Sequence, residues 1–204
     1  SNRVLTDFIR TGVYDRNREF HTTTSPSMDI LISSNLERLL YDLSGCDDGE
    51  IRRLMRELAE TGRYEVSSAM EAKIQELFAA EWCDDEKTAQ TIAQIYHTYG
   101  YLMDTHTAVG MYALESYRKA TGDKTPVILA STANPYKFCS SVLAALGEKT
   151  GDADEFAQVR LLCEKTGCPV PAPLKVLEGK QPRFTQVCNR EDMQQVIVDM
   201  LHLS

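Results

Sequence analysis

The chain has 204 residues, 43% hydrophobic and 25% charged, with a formal net charge of −8 at pH 7. That length allows one good core or one and a half domains. The acidic balance argues against a nucleic-acid partner, whose phosphates need a basic face.

Leu36, Leu39, Leu40 and Leu43 form an i, i+3, i+4, i+7 stripe that predicts a helix, with Ser34 and Glu37 as its capping box and Gly45 at its end. Ile51, Leu54, Met55 and Leu58 repeat the stripe from an N-cap at Asp48 to a stop at Gly62. Ser68 with Glu71 opens a third helix through Ile74, Leu77 and Phe78. Asp84 opens a fourth through Ile92, Ile95, Tyr96 and Tyr99, ended by Gly100, and a fifth runs from about Asp104 to Gly122. The block 34–122 therefore reads as a nearly all-helical layer, and its short connections predict antiparallel neighbours.

After Pro126 the pattern changes. Val127-Ile-Leu-Ala130 is a short continuous apolar run, which predicts a strand buried on both faces. A helix should follow from about Pro135 to Gly147, with proline accepted in its first turn. Asp152 with Glu155 caps another through Phe156, Val159 and Leu162, ended by Gly167. The prolines between 169 and 173 mark a linker or turn. Arg183–Cys188 is a second strand candidate, and Asn189 caps a last helix with Met193, Val196, Ile197 and Met200 facing inward. Two strands do not make a sheet that stands alone. They either pair with each other beneath helices or complete a larger sheet.

No run of about 18 apolar residues exists, so no membrane contact is expected. No signal-peptide pattern opens the chain. Cysteines at 46, 83, 139, 163, 168 and 188 read as reduced, half-buried thiols, and the five-residue spacing of Cys163 and Cys168 fits neither a zinc knuckle nor a redox pair. A cytoplasmic location follows as the expectation.

The strand–loop–helix around Ser131 and Thr132 is where α/β enzymes present hydroxyls and backbone N–H groups to ligands. Thr132 is either such a hydroxyl or the cap of the following helix. Ser25, Ser27 and Asp29 lie in a hydroxyl-rich loop after Thr22–Thr24, which either binds a phosphate or is a solvated turn. Asn35 and Arg38 sit at a helix start, where Arg38 either grips a phosphate or is solvated. Asp104 and His106 make an Asp-x-His pair, but two ligands do not make a zinc site. A helix-capping cluster is the expectation there, with no metal. Lys137, flanked by Tyr136 and Phe138, lacks the desolvated setting of a Schiff-base lysine and reads as structural or as an anion contact.

Four motifs in order carry a family resemblance: residues 4–15 (VLTDFIRTGVYD), the run 25–38 containing SPSMDI and SSNLER, residues 104–110 (DTHTAVG) and residues 131–138 (STANPYKF). They resemble the corresponding stretches of threonine synthases, across essentially the whole chain. The resemblance implies a helix-rich α/β fold: the C-terminal part of the large domain of a fold-type-II pyridoxal-phosphate enzyme, plus a helical insertion. Residues 1–33 would start in the large domain, 34–122 would be the insertion, and 123–204 would return to the large domain with the cofactor-ring loop. It implies a lyase that converts O-phosphohomoserine and water to threonine and phosphate. Thr132 and Ser131 would bind the cofactor, with Thr132 meeting its pyridine nitrogen. Ser25, Ser27, Asp29, His106 and Lys137 would face the substrate or cleft.

The family's Schiff-base lysine and glycine-rich phosphate loop lie upstream of the segment matched here. The resemblance therefore implies a C-terminal portion that is inactive alone, holds no covalent cofactor and needs the N-terminal part of the same enzyme. Exposed strand edges would favour self-association. Two rival expectations are a non-catalytic helical interaction module of the same ancestry and a metal-dependent hydrolase using Asp104 and His106.

Overall fold

Val4 and Phe8, four residues apart, put two apolar side chains on one face of α1 (Val4–Thr11), and both are buried. The helix stops at Gly12 and the chain turns into β1 (Val13–Asp15). Leu36 and Leu40 point inward from α2 (Leu36–Leu43), and Ile51 and Leu54 do so from α3 (Asp48–Thr61). Next come β2 (Arg63–Glu65) and α4 (Ser68–Leu77). The computed structural model describes residues 2–202, which fall into two units divided between Pro169 and Val170.

In the first unit, β1 and β2 pair antiparallel with Tyr14 opposite Tyr64. Their rings stack at 5.1 Å, and Phe8 meets both edge-on at 5.8 and 5.9 Å. This three-ring centre, with Val4, Leu36, Leu40, Ile51, Leu54, Val66, Met70 and Ile74, is one contiguous core. Gly62, between α3 and β2, has φ 76°, and a Cβ there would lie 2.2 Å from Asn17 Oδ1. Only glycine gives both the left-handed turn and the room for Asn17, which donates to Thr61 O.

A second group of helices continues the unit: α5 (Asp85–Tyr99), α6 (Thr105–Thr121), α7 (Cys139–Ala145) and α8 (Glu155–Thr166). Ile92, Ile95, Ala108, Val142, Leu143, Val159 and Leu162 are among their buried apolar residues. The second unit contains α9 (Ala172–Lys175) and α10 (Met193–Met200).

The helices fall where periodicity and caps place them, with corrections at the ends. Asp47, not Asp48, caps α3, Ser67 caps α4 and Asp154 caps α8; each side chain accepts the N–H three residues on. The Ser34–Glu37 box does not form; Asn35 is the N-cap of α2 and its side chain instead accepts from Arg38. Asn189 makes no side-chain cap bond, and Met193, Ile197 and Met200 are exposed rather than facing inward.

Neither expected strand forms. Val127 and Ile128 are 49% and 97% exposed and have no ladder partner, while Leu129 rests on α6 where Gly110 leaves room, a Cβ there lying only 2.9 Å from Leu129 Cδ1. Arg183–Cys188 is likewise irregular, with Phe184 and Val187 exposed. A strand needs a neighbour for its N–H and C=O groups, and the described residues offer these segments none. No helix among the described residues is long and apolar enough to cross a membrane.

All six cysteines are free, with Cys46 and Cys188 exposed rather than half-buried. Burial pushes the Cys139 thiol up to about 11. Iodoacetamide at about pH 8 is expected to label Cys46 and Cys188 first and Cys139 last, since the thiolate is the nucleophile. Peptide mass spectrometry showing Cys139 labelled as fast as Cys46 would contradict this packing.

Candidate active-site half

Asp104 precedes α6 and is fully buried. Its Oδ1 accepts from the backbone N–H groups of His106 at 2.8 Å and Thr107 at 3.3 Å, so it is the N-cap of that helix. The same oxygen lies 3.2 Å from His106 Nδ1, and Oδ2 accepts from the Thr107 hydroxyl. The positive end of the α6 dipole compensates the buried charge.

His106 Nε2 accepts from Ser27 N–H at 3.1 Å. A nitrogen that accepts carries a lone pair, so the ring is the neutral Nδ1–H tautomer, with that proton directed at Asp104. Both ring nitrogens are therefore occupied. The lone pair a metal would need from His106 already serves Ser27. Among the described residues, no group of three or more His, Cys, Asp or Glu side chains converges. The His106 ring also packs on Phe138, with centroids 4.9 Å apart.

The Ser25–Ser27 segment begins a short 3-10 turn (Pro26–Met28). Ser25 is buried, and its hydroxyl has no partner. Asp29 is fully engaged: Asn2 and the Thr23 hydroxyl reach Oδ1 at 2.9 and 2.8 Å, and Thr23 N–H reaches Oδ2 at 2.8 Å. Beside this turn lies a cleft of about 360 Å³ lined by Ser25, Ser27, Met28, Asp29 and Trp82, among others. Its walls also carry Glu81 and Asp85 and no lysine or arginine. Such a lining disfavours a phosphate.

The Ser131–Asn134 loop approaches the other side of the Asp104 cluster. Ser131 Oγ lies 3.0 Å from Thr107 Oγ1. Asn134 caps the 3-10 turn Pro135–Phe138 by accepting Tyr136 N–H at 3.0 Å. The cap expected as the alternative for Thr132 thus belongs to Asn134, and Thr132 is exposed. Tyr136 is buried and donates its hydroxyl to Cys168 O, tying the loop to the end of α8. Burial raises the Tyr136 hydroxyl above the usual tyrosine range, so it remains a donor. A cavity of about 320 Å³ is bounded by Leu102, Asp104, Ser131, Ala133, Asn134 and Tyr136. Lys137 is exposed on the following turn.

The fold thus links the exposed Ser27 and Ser131 to one polar cluster whose centre, Asp104, His106 and Thr107, is buried. Ser25 and Asp29 line the neighbouring cleft, and Lys137 stands apart on the surface. Sequence reasoning missed Thr107 and Asn134. The Asp104-x-x-Thr107 spacing and the Asn134-Pro135 step were the available signals.

Residues 107–197 match the family model described as threonine synthase, C-terminal. The human protein "Threonine synthase-like 1" is 38% identical over 191 residues, covering 92% of this chain and 25% of that protein. Threonine synthase of Saccharomyces cerevisiae is 38% identical over 159 residues, covering 71% of this chain and 31% of the relative. The crystal structure of pyridoxal-phosphate-bound threonine synthase from Brucella melitensis superposes with a TM-score of 0.79 and 30% identity, over 98% of this chain and 39% of that one. The chain thus spans about a quarter to a third of the curated relatives it matches. Helix-rich architecture and superposition define the C-terminal part of a pyridoxal-phosphate-dependent threonine synthase fold. In sequence and in structure this chain matches the C-terminal portion of threonine synthases.

Proposed function

We propose that this chain forms one wall of a threonine synthase active site, converting O-phosphohomoserine and water to threonine and phosphate when joined to the N-terminal part of such an enzyme. The observation that carries this reading is the loop at Ser131–Asn134: Ser131 is held by Thr107, Asn134 takes the capping role, and the Thr132 hydroxyl is left exposed.

That donor set fits the ring end of pyridoxal phosphate. Thr132 would meet the pyridine nitrogen with a neutral hydroxyl, which does not force its protonation. When bound, the cofactor supplies an electron sink for the elimination. Ser131 positions the loop, Ser25, Ser27 and Asp29 line the cleft on the other side of the cluster, and His106 holds Ser27 there. The acidic lining of that cleft supports a reading in which the cations for the substrate phosphate come from the remaining polypeptide. Lys137, exposed, contributes no covalent anchor. The chain alone therefore binds the cofactor at most non-covalently and is inactive.

In this reading residues 1–33 and 123–204 belong to the large domain and 34–122 is its helical insertion. The exposed run Val127–Ala130 then pairs with a strand of the N-terminal part or, in its absence, with a second copy. The free thiols suit a cytoplasmic enzyme. The test mixes the purified chain with pyridoxal phosphate and O-phosphohomoserine, alone and after fusion to a threonine synthase N-terminal part. Phosphate release is expected only from the fusion, and Thr132→Val should lower it on the order of tenfold or more. Release by the chain alone, or a Schiff-base absorbance lost in Lys137→Ala, would overturn the reading.

A further inference from the structure

We infer that Asp104 is a positioning residue that couples the Ser25–Ser27 turn to the Ser131–Asn134 loop, so that order on one side of the site enforces order on the other. The functional meaning rests on the proposed role of the Ser131–Asn134 loop; the coupling itself does not.

The inference follows from where the protons must go. Asp104 can only accept, so the Thr107 hydroxyl gives its single proton to Oδ2. Thr107 Oγ1 can then only accept from Ser131, 3.0 Å away, which makes Ser131 the donor. On the other arm, Asp104 Oδ1 faces His106 Nδ1–H, which leaves Nε2 as the acceptor for Ser27 N–H. One directed chain of hydrogen bonds thus runs from Ser131 through Thr107 to the carboxylate, and from the carboxylate through His106 to Ser27. Ser27 and Ser131 are 104 residues apart in sequence and are joined by this chain.

Asp104, His106 and Thr107 are 0%, 8% and 3% exposed, so water cannot replace a lost member cheaply. The chain also sorts the two hydroxyls of the loop. The Ser131 proton is committed to Thr107, so Ser131 can offer a ligand only lone pairs. Thr132, exposed, is the hydroxyl of this pair free to donate.

The test is amide hydrogen exchange on the whole chain. Thr107→Val removes the Ser131 arm and leaves His106 intact. Exchange should quicken on the order of fivefold at residues 131–134 and also at Ser27 and Met28. Thr107→Ser should restore both. His106→Gln keeps an acceptor for Ser27 N–H while dropping the bond to Asp104, and should quicken exchange at residues 131–134 although Thr107 and Ser131 are untouched. If each substitution loosened only its own loop, the two contacts would be independent tethers and the inference wrong. Thr107→Ser behaving like Thr107→Val would equally overturn it. Intact coupling in a fusion that fails to bind pyridoxal phosphate would instead count against the functional reading alone.

Discussion

Phe8→Ala is expected to destabilise the chain by about 3–5 kcal/mol, the range for deleting a large ring from a packed core. Phe8 is completely buried, and its ring contacts both members of the Tyr14–Tyr64 stack. Those tyrosines are the central residues of two three-residue strands, so the pairing of β1 with β2 depends on the same cluster. Short strands gain little from their own hydrogen bonds and rely on the face they bury. The measurement is urea unfolding followed by circular dichroism and tyrosine fluorescence. Ile128→Ala is the control: at 97% exposed it should change stability by less than about 0.5 kcal/mol in this chain. A loss below about 1 kcal/mol for Phe8→Ala would mean the ring cluster does not hold the first unit together.

Asp104→Ala is expected to cost about 2–4 kcal/mol. Loss of an N-cap accounts for about 1 kcal/mol. The rest comes from leaving the Thr107 hydroxyl and His106 Nδ1–H buried without their acceptor, at about 1–3 kcal/mol for such groups. Asp47→Ala, which removes the exposed cap of α3, should lose only about 1 kcal/mol. Equal losses for the two substitutions, read from the same urea curves, would show that Asp104 is an ordinary cap. The ratio between them therefore measures how much the cluster beyond the cap contributes.

Both arguments concern residues that the sequence presents only in part. The helices were legible because their signals are local. An acceptor such as Asp84 sits one residue ahead of its helix, a glycine such as Gly100 sits one past its end, and the apolar stripe lies between. The errors at Asp48, Ser68 and Asp152 have one cause. Several neighbouring Asp, Asn and Ser side chains compete for the same N–H groups, and backbone geometry decides among them.

The strands were illegible for the opposite reason. Val127–Ala130 has the composition of a buried strand, yet no partner reaches it among the described residues, and it stays irregular. The strands that do form are three residues long, too short for a period to show, and are made by partners about fifty positions apart. Of the site, the sequence marked Ser131, Thr132, Ser27, Asp104 and His106 as separate candidates. It showed neither that Asn134 would relieve Thr132 of capping nor that His106 would spend its lone pair on Ser27.

By itself, then, the sequence determined the helical layer, the change of character after Pro126 and the family motifs, all set by interactions within a few residues. Only the tertiary structure decided which strands pair, which hydroxyl stays free and that one buried carboxylate joins the two loops. Those outcomes depend on groups up to a hundred residues apart competing for the same hydrogen-bonding partners, and chain order does not record who wins.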